Sequence, residues 1–294
     1  VSNSVDVLSP EAELAEIESR ACRLETPCGD GMMVWRMWGE GELLVLGHGG
    51  QGAWSHWVRN IDALAAHYTV IVPDLPGHGD SAMPATVDHD TISAIVGEGL
   101  QALPGVGGPV LFAGFSFGGA VFVHLAVRYP ELVEKVVIIG TGGLDTPHGH
   151  IDLGRVGGLH GEERRAAIKR NLLGLMLHNP DSVDEMARHL LVTNARQARL
   201  PVTDLVLPDK VLEVLPRLTV PLGAIWGDSD RPHPGPALQE GVLRRFQPDC
   251  DFRVIADAGH WAMYEQPEAF NAALLDILNQ PTRQVSRLLG SSIG

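Results

Sequence analysis

A serine set between two phenylalanines and bracketed by glycines, 114-GFSFG-118, is the stretch of this chain best equipped to do chemistry. The apolar run 109-PVLFAGF-115 leads into it and the helix-patterned 119-GAVFVHLAVRYP-130 follows. Between a strand and a helix, G-x-S-x-G describes a sharp turn. A side chain two residues before or after the serine would collide with the neighbouring chain, and glycine removes the collision. Such a turn lifts the Ser116 hydroxyl above the sheet edge and aims the positive end of the helix at it. It also leaves the Phe117 N–H free for a developing oxyanion. A hydroxyl alone is a poor nucleophile, so a base and an orienting carboxylate must be found elsewhere.

The base is expected on a loop after the last strand, where 256-ADAGHWAMYEQPEAF-270 places His260, at the same carboxyl edge as Ser116. The carboxylate should follow the preceding strand. There 221-PLGAIWGDSDRPHP-234 offers Asp228 and Asp230, and spacing alone does not choose between them. A second oxyanion donor should come from the first parallel strand's loop, 47-GHGGQGAW-54, with Gly50 and Gln51 the candidate amides beside Phe117.

These groups need a scaffold that brings loop ends together. Residues 10–20 read as a short amphipathic helix, and 21–27 with 32–38 as a hairpin turning at 28-CGDG-31. Short apolar runs follow at 43–48, 68–74, 109–115, 135–140, 221–227 and 251–257. Helical segments near 54–66, 88–103, 117–129, 235–246 and 267–279 alternate with them. This is the pattern of an α/β chain with a mostly parallel, doubly wound sheet. The interval between Gly140 and Pro221 is too long for a simple crossover. It holds the helical 161-GEERRAAIKRNLLGLML-177 and a second helix with Ser182 as N-cap and Glu185 as its capping-box partner. The expected organisation is a core of residues 1–142 and 217–294 with a helical cap, 143–216, inserted in it. The final residues, 286–294, read as a loose tail.

Composition narrows the partners. With 36 acidic against 22 basic residues and a net charge of −14, neither nucleic acid nor an anionic membrane is expected as a partner. No apolar run approaches the roughly 20 residues that span a bilayer. The acidic first twenty residues lack the features of an export signal, so a cytoplasmic protein is expected, and its three cysteines are read as free thiols. The oligomeric state stays open, a homodimer included. His148, His150 and Asp152 sit in a Gly-rich loop and read as solvated rather than as metal ligands. The glycines of 104–110 precede their strand, the wrong order for a dinucleotide fingerprint, and Ser81 reads as a turn residue. Neither metal nor cofactor is implied.

With these motifs in hand, the chain resembles the α/β-hydrolase fold family over nearly its whole length. The resemblance rests on H-G-G at 48–50, 72-VPDLPGHGDS-81, G-F-S-F-G-G at 114–119, W-G-D-S-D at 226–230 and A-G-H-W at 258–261. In capped members the acid stands three residues after the glycine closing its strand, which maps to Asp230 with Asp228 second. A serine at the elbow sets the chain apart from relatives with an aspartate nucleophile. H-G-G and G-H-W look like those of carbon–carbon hydrolases acting on ring-fission products, but Phe115 stands where those relatives carry asparagine. The expectation is therefore a serine hydrolase cleaving a carboxylic ester through an acyl-enzyme. A carbon–carbon hydrolase is the alternative, and a non-catalytic small-ligand binder on the same scaffold is a second. Phe115, Trp54, Trp261 and the Leu-rich 172–177 suggest an apolar pocket for a small-molecule substrate, with Arg188 the nominated nearby cation.

Overall fold

The computed structural model describes residues 8–281, so the expected tail at 286–294 lies outside the described residues. Eight strands form one sheet: β1 (Cys22–Cys28), β2 (Gly31–Trp38), β3 (Leu43–Gly47), β4 (Thr69–Pro73), β5 (Val110–Phe115), β6 (Val133–Ile139), β7 (Leu222–Gly227) and β8 (Asp251–Ile255). Their order is β1-β2-β4-β3-β5-β6-β7-β8. The first two pairings are antiparallel and the other five parallel. The hairpin turn is tighter than the sequence pattern indicates, since Cys28 pairs directly with Gly31 and Gly29 takes φ +53°.

Helices α1 (Pro10–Ser19), α2 (Ile61–Ala65), α3 (His89–Ala102), α4 (Phe117–Arg128), α5 (Gly161–Asn171), α6 (Glu185–Gln197), α7 (Pro236–Phe246), α8 (Ala262–Glu265) and α9 (Pro267–Asn279) complete the architecture. Strand alternation divides the core into two layers. Leu44, Leu46, Leu111 and Ala113 face the α1, α2 and α9 side with Ile17, Ile61, Leu64, Phe270 and Leu274. Val45 and Phe112 face the other side with Ile92 and Val96 of α3, Phe122 of α4 and Leu243 of α7. The chain winds from β3 to β4 in one direction and from β5 to β8 in the other. The crevice at the carboxyl ends of β3 and β5 is thus a topological switch point, the usual ligand site of an open α/β sheet.

Three local readings need correction. The segment 54–66 is not one helix but a 3₁₀ turn, Trp54–Trp57, and the short α2. The break falls at Asn60, whose Nδ2 donates to Met263 O (3.0 Å) and Asn271 Oδ1 (2.9 Å) instead of facing solvent. The helix at 161–177 stops at Asn171 and continues as one π-helical stretch, Leu172–Met176, closed by the Leu177 N–H donating to Leu172 O. The N-cap of α6 is Asp184, not Ser182, and Glu185 is the first helical residue. Asp184 Oδ1 accepts from Ala187 N (2.8 Å), while Ser182 ends a separate 3₁₀ turn begun by Pro180.

One buried ion pair anchors the loops at this sheet edge. Arg36, 2% exposed, donates to Asp74 Oδ2 (2.9 Å), Asp80 Oδ2 (2.6 Å) and Glu18 Oε1 (2.6 Å). Asp74 Oδ1 accepts from Trp54 N (2.8 Å) and Oδ2 from Asp80 N (3.1 Å), so one carboxylate joins the loops after β3 and β4. Losing one partner strands the other charge in the interior. Asp74→Ala is therefore expected to cost about 3–5 kcal/mol in urea unfolding, whereas Arg20→Ala, at an exposed pair with Asp62, should change stability little.

Candidate active site

The turn from β5 into α4 holds Ser116 at φ 51°, ψ −113°, a strained conformation for a residue with a side chain. Its N–H donates to Ile139 O (2.8 Å) and its carbonyl accepts from Gly119 N (3.1 Å), which holds the strain in place. The flanking glycines are demanded by close approach. A Cβ on Gly114 would lie 2.5 Å from Gly119 N, and one on Gly118 would lie 2.7 Å from Gly47 C and His48 O. The Phe117 N–H opens α4 at the cavity wall.

His260, 5% exposed, follows β8, and its Nδ1 donates to Asp230 Oδ2 at 2.9 Å, leaving Nε2 as the other ring nitrogen. Asp230, 2% exposed, uses Oδ1 to accept from His233 N (2.9 Å). Asp228 does not contact the imidazole. Its carboxylate accepts from Asp257 N (3.0 Å) and Ala258 N (3.4 Å), shaping the loop that carries His260. Buried Glu265 braces the same loop, accepting from Gly259 N (2.6 Å), His178 N (2.9 Å) and Asn179 N (2.8 Å). On the far side of His260, Trp261 N donates to Met176 O (2.8 Å).

Three histidines set the loop after β3. His48 Nε2 accepts from Leu75 N (2.9 Å), so its proton sits on Nδ1 and is donated to Gly49 O (2.8 Å). His78 Nε2 approaches Gly50 O at 2.8 Å. The Gly49 N–H is taken by His56 Nδ1 (3.3 Å). Among the described residues, no protein group accepts from the Gly50 or Gln51 N–H.

Ser116, His260, Gly50, Gln51 and Phe117 all border one cavity of about 250 Å³. Its apolar wall comes from Phe115 and Trp261 on the sheet side and from Leu172, Leu175, Met176 and Leu191 in the segment between β6 and β7. This fold and this cavity can be set beside known proteins. Residues 44–273 match the pattern that defines the alpha/beta hydrolase family. The chain belongs to that family. It is 30% identical over 253 residues to a 2-hydroxy-6-oxononadienedioate/2-hydroxy-6-oxononatrienedioate hydrolase of a Pseudomonas species, with 81% of this chain and 88% of the relative covered. It is 31% identical over 261 residues to a 2-hydroxy-6-oxo-6-phenylhexa-2,4-dienoate hydrolase of Burkholderia cepacia, covering 82% and 88%. In structure it is similar to a carboxylesterase of Bacillus subtilis, with TM-score 0.76, 19% identity, and 92% and 96% of the two chains covered.

In this alpha/beta hydrolase two residues expected at the substrate lie elsewhere. Trp54 is buried away from the cavity against Trp38 (ring centroids 5.8 Å) with Arg36 over its ring (5.2 Å), because its backbone N–H is captured by Asp74. Arg188 turns to α5, where Nη1 donates to Arg165 O (3.2 Å), with Glu185 3.8 Å from its Nε. The next turn of α6 presents Leu191 to the cavity instead. The cavity lining contains no lysine or arginine. Ser81 is structural: buried, it accepts from Val34 N (2.9 Å) and donates to Asp74 O (2.5 Å).

Sequence reading missed His56, His233 and Thr203, all on the wall, and left His148 as a solvated loop residue. His148 stays exposed at one edge but packs 4.7 Å from the His233 ring. A histidine in W-S-H-W or R-P-H-P carries no spacing signal, and only the folded loops bring these rings together.

Burial pushes His56 and His233 down to about 3 and His124 to about 4. An unfolded histidine titrates near pH 6.5. Below that pH the unfolded chain takes up protons that the folded protein refuses, so stability present above about 6.5 is lost as pH falls towards 3–4. Acidification from pH 7 to 5 is expected to cost about 2 kcal/mol for each of these histidines. Urea unfolding at the two pH values measures it, and His124→Gln should show a smaller loss.

Proposed function

We propose that this hydrolase cleaves a carbon–carbon bond in a vinylogous diketone of the 2-hydroxy-6-oxo-dienoate type, with Ser116 as nucleophile. The supporting observation is the likeness to dienoate hydrolases at 30–31% identity over more than four-fifths of both chains. It reverses the order expected from the motifs, in which ester cleavage stood first. That expectation leaned on Phe115 replacing a polar elbow residue, but the polar groups of this cavity come from other loops.

In this reading His260 takes the Ser116 proton as the hydroxyl attacks the ketone, with Asp230 holding the imidazole and stabilising its cationic form. The Gly50 and Phe117 amides hold the oxyanion. From the keto tautomer, in which the 2-hydroxyl proton has moved to C5, scission of the C5–C6 bond releases the dienolate; His260 returns its proton to the dienolate and, neutral again, activates water to release the acid. The segment 143–216 acts as the cap, excluding water with its leucines. A binding protein has no physical need for a strained serine beside a buried Asp–His pair, which disfavours the non-catalytic reading.

Ester cleavage is the second reading. A dienoate carries a carboxylate, and a cavity without lysine or arginine favours a neutral substrate. The carbon–carbon reading therefore assigns the carboxylate to an adjoining cavity of about 290 Å³, which shares Gln51, Leu175 and Leu191 with the first and is bordered by Arg164 and Arg196. A panel of dienoates and neutral aryl esters discriminates. Higher kcat/KM for a dienoate is expected, with Arg164→Gln/Arg196→Gln raising KM about tenfold for it alone, roughly 1.4 kcal/mol. Higher kcat/KM for an ester would put ester cleavage first.

The triad roles have their own test. A fluorophosphonate should label Ser116, and Ser116→Ala should lose about four or more orders of magnitude in kcat. Asp230→Asn should lose about 10⁴-fold and Asp228→Asn much less. The reverse ranking would exchange the two acids.

A further inference from the structure

We propose that His56 is a substrate-contacting hydrogen-bond donor, its ring proton held on Nε2 and offered to the oxygen that takes up charge when the carbon–carbon bond breaks. The proposal rests on the carbon–carbon reading above. It begins with where the ring sits. His56 lies in the 3₁₀ turn Trp54–Trp57 and is 5% exposed. A Cβ on Gly52 would meet its Cε1 and Nδ1 at 2.4 Å, so the ring fills the space that this glycine leaves. Trp261 Nε1 donates to the His56 carbonyl (3.1 Å), fixing the turn against the loop of His260.

The tautomer follows from one hydrogen bond. Nδ1 accepts from Gly49 N (3.3 Å), and a neutral imidazole that accepts at Nδ1 carries its proton on Nε2. Among the described residues no protein group accepts from Nε2, while the ring forms part of the cavity wall. An N–H open to a cavity and without a protein partner takes one from the ligand or solvent. The ring centroid lies 5.7 Å from that of Phe115 and 5.0 Å from that of Trp261, the neighbours in sequence of Ser116 and His260. The His56 ring thus packs against the residues flanking Ser116 and His260 in sequence, on the wall of the same cavity. Burial and the nearby His260 keep the ring neutral down to about pH 3, so it donates a hydrogen bond without becoming an acid.

The chemistry of a 2-hydroxy-6-oxo-dienoate supplies the acceptor. In its keto form, breaking the C5–C6 bond sends that electron pair through C4 and C3 to the oxygen on C2, while C6 stays as the acyl group on Ser116 until water releases it. The charge on the C2 oxygen lies out of reach of the amides that hold the C6 oxygen. It calls for a second donor, and a neutral imidazole N–H stabilises it without prior reorganisation. An ester releases its alkoxide at the reacting carbon, where His260 protonates it, and has no such need.

Two measurements test this. In ¹⁵N-histidine-labelled Ser116→Ala protein, two-bond ¹H–¹⁵N spectra should show His56 as the Nε2–H tautomer throughout pH 5–9. The Nε2 proton should shift when 2-hydroxy-6-oxo-6-phenylhexa-2,4-dienoate is added. His56→Phe should lower kcat about 100-fold for that dienoate, at least tenfold more than for an aryl ester, and His56→Gln should recover part of the loss. The Nδ1–H tautomer, an unmoved Nε2 proton in the bound state, or equal loss on both substrates would overturn the proposal. If the wild-type protein cleaves no dienoate, the carbon–carbon reading fails on that assay alone. The Nε2 proton in aryl-ester-bound Ser116→Ala protein then decides whether His56 contacts substrate.

Discussion

The structure depends on a backbone-to-backbone contact. In the β5–α4 turn Gly118 presses on the end of β3, and Gly114 on Gly118 and Gly119 of the turn itself, so closely that neither glycine has room for one methyl group. That approach aligns β3 and β5, whose Gly47 and Gly114 are register partners. It fixes Ser116 in a conformation it would otherwise avoid and brings the loop after β3 beside the first turn of α4. Two amides from loops more than sixty residues apart thereby border one cavity with the serine. Added bulk at either glycine would disturb Ser116 and the Gly50 and Phe117 amides together.

Around that contact the polar groups are placed by hydrogen bonds that pull on backbone rather than on substrate. Asp74 fixes Trp54, His48 and His78 turn the carbonyls of Gly49 and Gly50, Asp228 shapes the loop before His260, and Glu265 braces it. Burial keeps His48, His56 and His233 from charging. Among the described residues Asp230 is the carboxylate hydrogen-bonded to His260, and the largely apolar cavity carries polar groups without a lysine or arginine.

The parts legible in the sequence were those dictated by short-range backbone demands. G-F-S-F-G between an apolar run and a helical one specified the elbow, and alternation of apolar runs with helical periodicity specified the parallel sheet. Asp230 needed the family resemblance, because in W-G-D-S-D either carboxylate can turn a loop. Trp54 and Arg188 were misplaced because their direction is decided by distant partners, Asp74 in one case and Arg165 in the other. The N-cap of α6 was shifted by two residues because Pro180 begins a turn of its own and Asp184 is the better-placed acceptor. His56 was invisible because its meaning lies in Gly49 and Gly52, whose roles appear only when the loop is folded. Whole-chain similarity to dienoate hydrolases favours the carbon–carbon alternative over ester chemistry, because it integrates many positions where motif reading weighed one, Phe115.

The hydrogen bonds on either side of His260 tie it to the segment between β6 and β7. Gly259 shares the Glu265 carboxylate with His178 and Asn179, and Trp261 reaches the carbonyl of Met176 in the π-helical stretch. His260 is thus suspended between the sheet and the segment between β6 and β7, and this end of that segment is a bearing rather than a hatch. Exchanging this segment with one from a relative would not be a neutral graft: a foreign segment must present a carbonyl and two amides at the places of Met176, His178 and Asn179, or it would bring new cavity walls at the expense of the alignment of His260. Variation in substrate choice has freer scope at the opposite rim, around Leu191 and Val202, where side chains touch the cavity and leave the loop of His260 alone.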